Sequence, residues 1–268
     1  LVWGDVASDA VNEASGLGHS AANPGVLWTH NDSGDTARIF AMAEDGTPLG
    51  EFSVDAPARD WEDLALGWDD TIGGPAIYIG DIGDNPSSRE NIRVIVVAEP
   101  SVSPTQAPVE AELTPAAVLE LTYPDGAHNA EMLGLDPVTG DIIVVTKDYG
   151  GATAVYRKAA PHLDDTATEL ELVAELQFGS APLSGSTATT GGDFSVYGDR
   201  IAIRTYSDLY LWRRDQSDTL AETFATEPCD LDPPSERQGE AMSFTADGAG
   251  YVLVSEGRQQ PISYTPLD

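Results

Sequence analysis

At five places along the chain, an acidic residue stands at the start of a short apolar segment, each time in a similar local sequence. Repetition at intervals of 47 to 69 residues is typical of a β-propeller, in which each repeat forms one four-stranded blade. Because equivalent positions of the blades surround one axis, the repeat also predicts a ring of acid around that axis. The five carboxylates are those of Glu13, Glu62, Glu131, Asp193 and Glu240.

Short strand-like runs follow each acidic segment. They are rich in β-branched and aromatic residues and are separated by Gly, Pro, Asp and Asn, whereas helical periodicity is nearly absent. The pattern predicts four antiparallel strands in each blade. Predicted fourth strands cover 49–54, 117–122, 170–176 and 221–226, and the proline-rich segment 99–114 is predicted to be a loop between blades.

The two ends of the chain complement each other. The last repeat runs out after its third strand, and residues 1–6 form a strand-like run without a repeat of their own. Pairing the two would remove exposed sheet edges and close the ring. We therefore expect an all-β fold, a single five-bladed β-propeller domain over residues 1–268. The predicted blades cover about 11–55, 60–123, 128–177, 186–227, and 237–268 together with 1–6.

The charge of the chain is strongly unbalanced. It carries 45 Asp and Glu residues against 13 Lys and Arg, a formal net charge of −32. Such a field repels nucleic acid and anionic membranes, and it favours metal cations or cationic ligands. Adaptation to salt is the preferred interpretation of the surface charge, because a solvated acidic surface keeps a protein soluble and ions screen its self-repulsion.

Other features of the composition concern the location and state of the protein. No apolar run reaches the 18 residues of a membrane span, and Cys229 is the single cysteine, so no disulfide within the chain is expected. The start at Leu1-Val-Trp resembles a trimmed mature protein, and lysines are few. We expect a secreted or periplasmic monomer.

The predicted acidic ring has two interpretations. Converging carboxylates must pair with cationic groups, take up protons or bind a cation. Oxygen ligands suit a hard divalent cation, and calcium accepts six to eight of them, so Glu13, Glu62, Glu131, Asp193 and Glu240 are candidate calcium ligands. The alternative is a purely structural ring whose carboxylates pair with Arg59, Arg204, Arg237 or Lys147, and the sequence leaves both open.

The loops that follow the second strands lie on the same face as the starts of the inner strands, so this face is predicted to hold the site. His30 is the preferred general base because its pKa is near neutrality, and His128 is the second choice. Asp81, which lies at a strand end and is expected to point towards the axis, is the third candidate catalytic residue. The candidate ligand-binding groups are Asn31, Lys147, Arg204, Glu256 and Arg258.

The chain resembles an uncharacterised group of bacterial propeller proteins. The motifs that carry the resemblance are Trp28-Thr-His-Asn-Asp-Ser-Gly-Asp35, Gly80-Asp-Ile-Gly-Asp-Asn85 and the Glu13, Glu131 and Glu240 segments. It is also distantly similar to calcium-dependent lactonase and phosphotriesterase propellers, in which a ring of Glu, Asn and Asp holds a catalytic calcium. That resemblance implies such parts for Glu13, Asn31 and Asp193.

Two hypotheses of function follow. The first is an acidic propeller that binds a divalent cation, calcium by expectation, at the channel mouth, with metal-assisted hydrolysis of a small ester, lactone or phosphoester. The second is a non-catalytic module for carbohydrate or peptide, with Trp28, Trp61, Tyr149 and Tyr206 as stacking platforms and a structural acidic ring. In both, the partner is a small molecule or a glycan and not nucleic acid or membrane.

Overall fold

The computed structural model describes residues 1–162, 167–179, 186–234 and 236–267. Within them the chain forms five small sheets, each built on four mainly antiparallel strands. The innermost strands of neighbouring sheets pack side by side around a central axis. This confirms the predicted five-bladed β-propeller.

Strands are numbered in chain order, beginning with β1 (Val2–Asp5). Blade 1 contains β2 (Ala14–His19), β3 (Val26–Asn31), β4 (Arg38–Ala43) and β5 (Pro48–Val54). Blade 2 contains β6 (Trp61–Asp69), β7 (Gly74–Asp81), β8 (Ile92–Ala98) and, after β9 (Val109–Leu113), β10 (Ala117–Thr122). Blade 3 contains β11 (Ala130–Leu135), β12 (Ile142–Thr146), β13 (Ala152–Lys158) and, after β14 (Thr168–Glu169), β15 (Glu171–Gln177).

Blades 4 and 5 follow the same plan. Blade 4 contains β16 (Thr189–Phe194), β17 (Arg200–Thr205), β18 (Leu209–Arg213) and β19 (Cys229–Leu231). Blade 5 contains β20 (Gly239–Phe244), β21 (Gly250–Ser255) and β22 (Pro261–Pro266). Its outer strand is β1, which pairs antiparallel with β22, so the predicted closure of the ring by the N-terminal strand is confirmed.

The sequence did not reveal two strands that run parallel to a neighbouring blade. In the segment 99–114, which was predicted to be a loop, β9 pairs in parallel with β5 of blade 1. Likewise β14 pairs in parallel with β10 of blade 2. Each covers the outer edge of the preceding blade, which would otherwise present unpaired backbone groups to solvent.

The predicted fourth strand of blade 4 is wrong. Residues 220–224 form the helix α1 (Leu220–Phe224), and Cys229–Leu231 takes the strand position instead. Thr219 caps the helix, because its hydroxyl accepts a hydrogen bond from the Glu222 amide while the Glu222 carboxylate accepts one from the Thr219 amide. Leu220 and Phe224 are buried in the apolar cluster between blades 3 and 4. No helix among the described residues is long and apolar enough to cross a membrane.

The five inner strands approach the axis so closely that side chains must be small at several points. A Cβ on Gly67 would lie 2.2 Å from Leu135 Cδ2 in the next blade, and a Cβ on Gly191 would lie 2.6 Å from the Glu240 carbonyl. Glycine therefore permits adjacent blades to meet at these points. The apolar core then fills the spaces between neighbouring sheets.

Candidate functional site

Near its start, each inner strand has an irregularity in its pairing with the second strand. In blades 2, 3 and 5 the extra residue there is Glu62, Glu131 or Glu240. The corresponding irregularities of blades 1 and 4 contain Ser15 and Thr190, whose hydroxyls donate hydrogen bonds to the Glu62 and Gly239 carbonyls of the next blade. A bulge reorients the extra side chain, so three of the five predicted ring positions are equivalent.

Glu13 and Asp193 do not occupy the equivalent positions that the sequence predicted for them. Glu13 lies before β2 and is exposed, although it is close enough to Glu256 to repel it. Asp193 lies three residues beyond the irregularity of β16, and its carboxylate bonds to Ser243 and Phe244 towards the other end of blade 5. The sequence analysis took the five carboxylates as the equivalent positions of the blades, whereas in the structure the equivalent positions are the register irregularities of the inner strands.

Two carboxylates that the sequence analysis did not assign to the ring lie at the same mouth. One oxygen each of Asp32, Asp60 and Glu62 lie within 4.8 Å of one another, and the same holds for Asp32, Glu240 and Glu256. Asp32 thus belongs to both groups and links blades 1, 2 and 5. The available signal was position: Asp32 directly follows β3, and Asp60 directly precedes β6.

One side of this acidic mouth is neutralised by lysine. Lys147 Nζ lies 2.8 Å from Glu131 Oε1, and both side chains are buried. Lys147 also donates a hydrogen bond of 2.9 Å to the Tyr206 hydroxyl and lies 4.8 Å above the Tyr206 ring centre. The ion-pair interpretation therefore describes Glu131 and Lys147, and the predicted ligand-binding role of Lys147 stays a prediction.

Among the described residues, no lysine or arginine forms an ion pair with the carboxylates of Asp32, Asp60, Glu62, Glu240 or Glu256. Burial, followed by repulsion from Glu131 and Asp32, holds the pKa of Glu62 well above its usual range. Burial and a hydrogen bond with Glu240 raise the pKa of Glu256 to about 9. Burial also raises the pKa of Glu131 to about 7, despite the opposing charge of Lys147. Burial and mutual repulsion thus make the ionised forms of these carboxylates costly.

The other predicted ligand-binding groups serve different partners. Arg204 is buried in an ion pair with Glu236 and donates a hydrogen bond of 2.9 Å to the Ala241 carbonyl. Asn31 is also buried, and its amide ties the Asn12 and Glu13 backbone to the Ala10 carbonyl and Asp35. Arg258 is exposed on the loop after β21. Arg204 and Asn31 thus organise loops of the mouth, whereas Glu256 is part of the mouth itself.

His30 is fully buried between blades 1 and 2. Its Nδ1 lies 2.8 Å from the Asn31 carbonyl, and its ring meets Trp61 edge-on at 5.9 Å. Burial lowers the pKa of the imidazole. A side chain enclosed in this way has no route to a substrate at the mouth, so the structure does not place His30 where a general base would act.

The other two predicted catalytic residues also have structural partners. Asp81 is fully buried, and its Oδ1 accepts hydrogen bonds from the Arg89 guanidinium and the Asp60 amide. His128 lies beside Asp125 and Tyr156, at 3.1 and 3.2 Å. Asp81 therefore acts on the mouth only by fixing the backbone of Asp60, and His128 belongs to a separate aromatic cluster.

Comparison with known proteins supports the fold. No family model matches the chain, and no curated protein matches it, so the resemblances drawn from the motifs stay predictions. A chain in a crystal structure of a nidogen/laminin complex is 15% identical with a TM-score of 0.48, covering 91% of this chain and 73% of that chain. An auxiliary nutrient binding protein from Bacteroides thetaiotaomicron is 10% identical with a TM-score of 0.51, covering 95% of this chain and 57% of that chain. The second likeness, with its TM-score of 0.51, supports the overall fold alone.

Proposed function

We propose that the acidic mouth binds a divalent cation, with calcium as the expected ion. The observation that carries the proposal is the pair of carboxylate groups that share Asp32, each with three oxygens within 4.8 Å of one another. Carboxylate oxygens are the ligands that calcium prefers, and its flexible coordination suits a site assembled from different blades. Asp32, Asp60, Glu62, Glu240 and Glu256 would hold the ion.

The electrostatics of Glu62 support the same proposal. Its side chain is only 3% exposed, and among the described residues none donates a hydrogen bond to its carboxylate or pairs with it as a cation. A buried carboxylate without compensation is costly, and a bound cation would remove that cost. Lys147 forms no ion pair with Glu62, because its ammonium contacts Glu131 and Tyr206 instead.

Metal-assisted hydrolysis of a small ester, lactone or phosphoester would use other acid–base groups than the three predicted ones. Glu131, which is not one of the proposed ligands, lies at the mouth, and burial raises its pKa to about 7. Groups in this range exchange protons near neutral pH. The cation would polarise the reacting group of the substrate.

A second candidate is a binding module for a sugar or peptide at the same mouth. Tyr149 is 56% exposed, and its ring centre lies 5.9 Å from Lys147 Nζ, opposite the half-buried Tyr206. An exposed aromatic ring beside carboxylates suits sugar stacking, and the similar Bacteroides propeller is described as nutrient binding. Trp28 and Trp61 do not contribute, because they are buried in the core between blades.

Thermal unfolding at fixed high ionic strength tests the cation site. The protein is unfolded with chelator and then with calcium, magnesium or manganese, and an ion at a hundred times its Kd should add about 2.7 kcal/mol. Asp32→Asn should abolish the rise, because Asp32 belongs to both groups. The matched control is Asp230→Asn, the same charge change on the exposed outer strand of blade 4. The proposal fails if no ion raises the melting temperature, or if Asp32→Asn responds like the control.

If cations have no effect, the second candidate is tested by titrating soluble glycans and peptides against the wild type and Tyr149→Ala. Tyr149→Ala removes an exposed ring and should leave folding intact. Binding that is lost in this variant would support the sugar or peptide module.

A further inference from the structure

The opposite end of the central channel contains a cavity of about 430 Å³. The inner strands of all five blades contribute to its wall, near the hairpin turns and away from the acidic mouth. Its volume falls within the range of small-molecule sites, which are mainly apolar with a few polar groups. The apolar side chains of the wall include those of Leu17, Leu64, Leu66, Leu135, Phe194 and Phe244.

Exposed apolar side chains continue from this cavity onto the surface. Trp68 and Val196 line the cavity and are 62% and 40% exposed. Tyr197, which is 60% exposed, lies next to Val196 on the same hairpin. A cluster of exposed large apolar groups around a cavity is typical of a binding surface, because each would be more stable when covered.

One charged group of the cavity wall lacks a cationic partner. The Asp193 carboxylate accepts hydrogen bonds from the Ser243 hydroxyl at 3.0 Å and from the Phe244 and Phe194 amides at 2.9 and 2.8 Å. All three donors are neutral. A carboxylate offers about four acceptor sites, so Asp193 retains capacity for one more donor. Burial raises its pKa to about 7, which reflects the cost of its charge there.

The remaining charged groups of the wall indicate the sign of the charge that a ligand would carry. No described residue of the wall is a lysine or arginine. His19 is already engaged, since its Nε2 lies 3.0 Å from Glu44 and its Nδ1 accepts a hydrogen bond from the Ala246 amide. Glu99 adds a second carboxylate, held by the neutral donors of Ser20, Asn23 and Trp28. The wall of the cavity is thus mainly apolar, and its unpaired charged groups are carboxylates.

We propose that this hairpin-side cavity binds a small organic ammonium with a compact apolar or aromatic body. The ammonium donates to the free acceptor site of Asp193, and the body fills the space between Leu64, Leu66 and Phe244. Trp68 at the rim covers the ligand. The site is distinct from the acidic mouth, because its wall contains none of the residues proposed there to hold a cation.

Three probes of similar shape and different charge test the proposal: phenethylamine, 2-phenylethanol and phenylacetate, each titrated into the whole protein by calorimetry at low salt. We expect the order of affinity amine, alcohol, acid. Asp193→Asn should weaken amine binding about tenfold to a hundredfold, the factor that a hydrogen bond to a charged group supplies, and leave alcohol binding unchanged. Asp230→Asn, the same charge change on the exposed outer strand of blade 4, serves as the control and should retain the preference for the amine.

A second variant keeps the test decisive if Asp193→Asn fails to fold. Leu66 is half-buried at the cavity wall, so Leu66→Trp places a bulkier side chain where the body of the ligand would lie and should weaken binding of all three probes without a loss of melting temperature. Equal affinity for the three probes, absence of amine binding, or undiminished amine binding by Leu66→Trp would each overturn the proposal.

Discussion

Replacing Lys147 by methionine should destabilise the protein in a way that depends on pH. The ammonium of Lys147 and the carboxylate of Glu131 are 2.8 Å apart, and their side chains are 4% and 5% exposed. Removing one partner of such a pair leaves an uncompensated buried charge, which costs about 3–5 kcal/mol. The cost should be full only where Glu131 is ionised.

The pH dependence follows from the direction of the Glu131 pKa shift. With Lys147 in place the pKa is about 7, and without the opposing ammonium it rises further. A carboxyl whose pKa is raised by folding binds protons more tightly in the folded state, so its contribution to stability falls as pH rises from the unfolded pKa to the folded pKa. At pH 5.5 the variant is protonated at Glu131 and should lose only hydrogen bonds, about 1–2 kcal/mol.

Urea unfolding of four proteins at pH 5.5 and pH 8 measures this effect. They are the wild type, Lys147→Met, Glu131→Gln and the double variant, which form a double-mutant cycle. The double variant should be more stable than Lys147→Met at pH 8, because it contains no buried charge. A cost of Lys147→Met that is equal at both pH values, or below about 1 kcal/mol at pH 8, would refute the reasoning about this pair.

Three further predictions follow from the described contacts. Calcium binding should release protons and strengthen as pH rises, because the pKa values of Glu131 and Glu256 are raised to about 7 and about 9. Calorimetry in two buffers of different ionisation enthalpy measures the release, and the absence of proton release would contradict the site. The melting temperature should climb as sodium chloride approaches molar concentration, because ions screen the net charge of −32; a flat response would end the salt-adaptation interpretation. Trp3→Ala should cost about 1–2 kcal/mol in urea unfolding, because Trp3 stacks on Tyr264 at 4.8 Å where the ring closes, whereas exposed Trp68→Ala should cost less than about 0.5 kcal/mol.

The architecture could be predicted because each blade repeats one local pattern. Strand runs bounded by turn residues gave the blades, and the two incomplete ends gave the closure of β1 on β22. The helix at Leu220–Phe224 was missed although its signal was present, since Thr219 and Glu222 have the spacing of a capping box. The parallel strands β9 and β14 carry no comparable signal, because their pairing depends on how close a loop passes to another blade.

The candidate site was predicted less well, for a reason that lies in the register. A bulge of one residue changes which side chain faces the axis, so carboxylates at similar sequence positions separate to different places, as Glu13 and Asp193 do. The burial of individual side chains was equally hard to predict from the sequence. Strands between blades are covered on both faces, and His30 looks like a strand-end base until the packing against Trp61 is known.

Both proposed sites use the inner strands β6 and β20, so their ligands should influence each other. Ser243, which bonds to Asp193, is three residues from Glu240, and a strand rises about 3.3 Å per residue, so these two backbone positions are about 10 Å apart, and we take that as the order of the separation between the two bound charges. At that distance a divalent cation repels an ammonium by about 0.8 kcal/mol in water and about 3 kcal/mol at the effective dielectric of a protein. Calcium should therefore weaken phenethylamine binding at least about fourfold at low salt, and phenethylamine should weaken calcium binding by the same factor. Magnesium at equal ionic strength, if it does not bind, controls for screening, and independent binding of the two ligands would show that they do not share the channel.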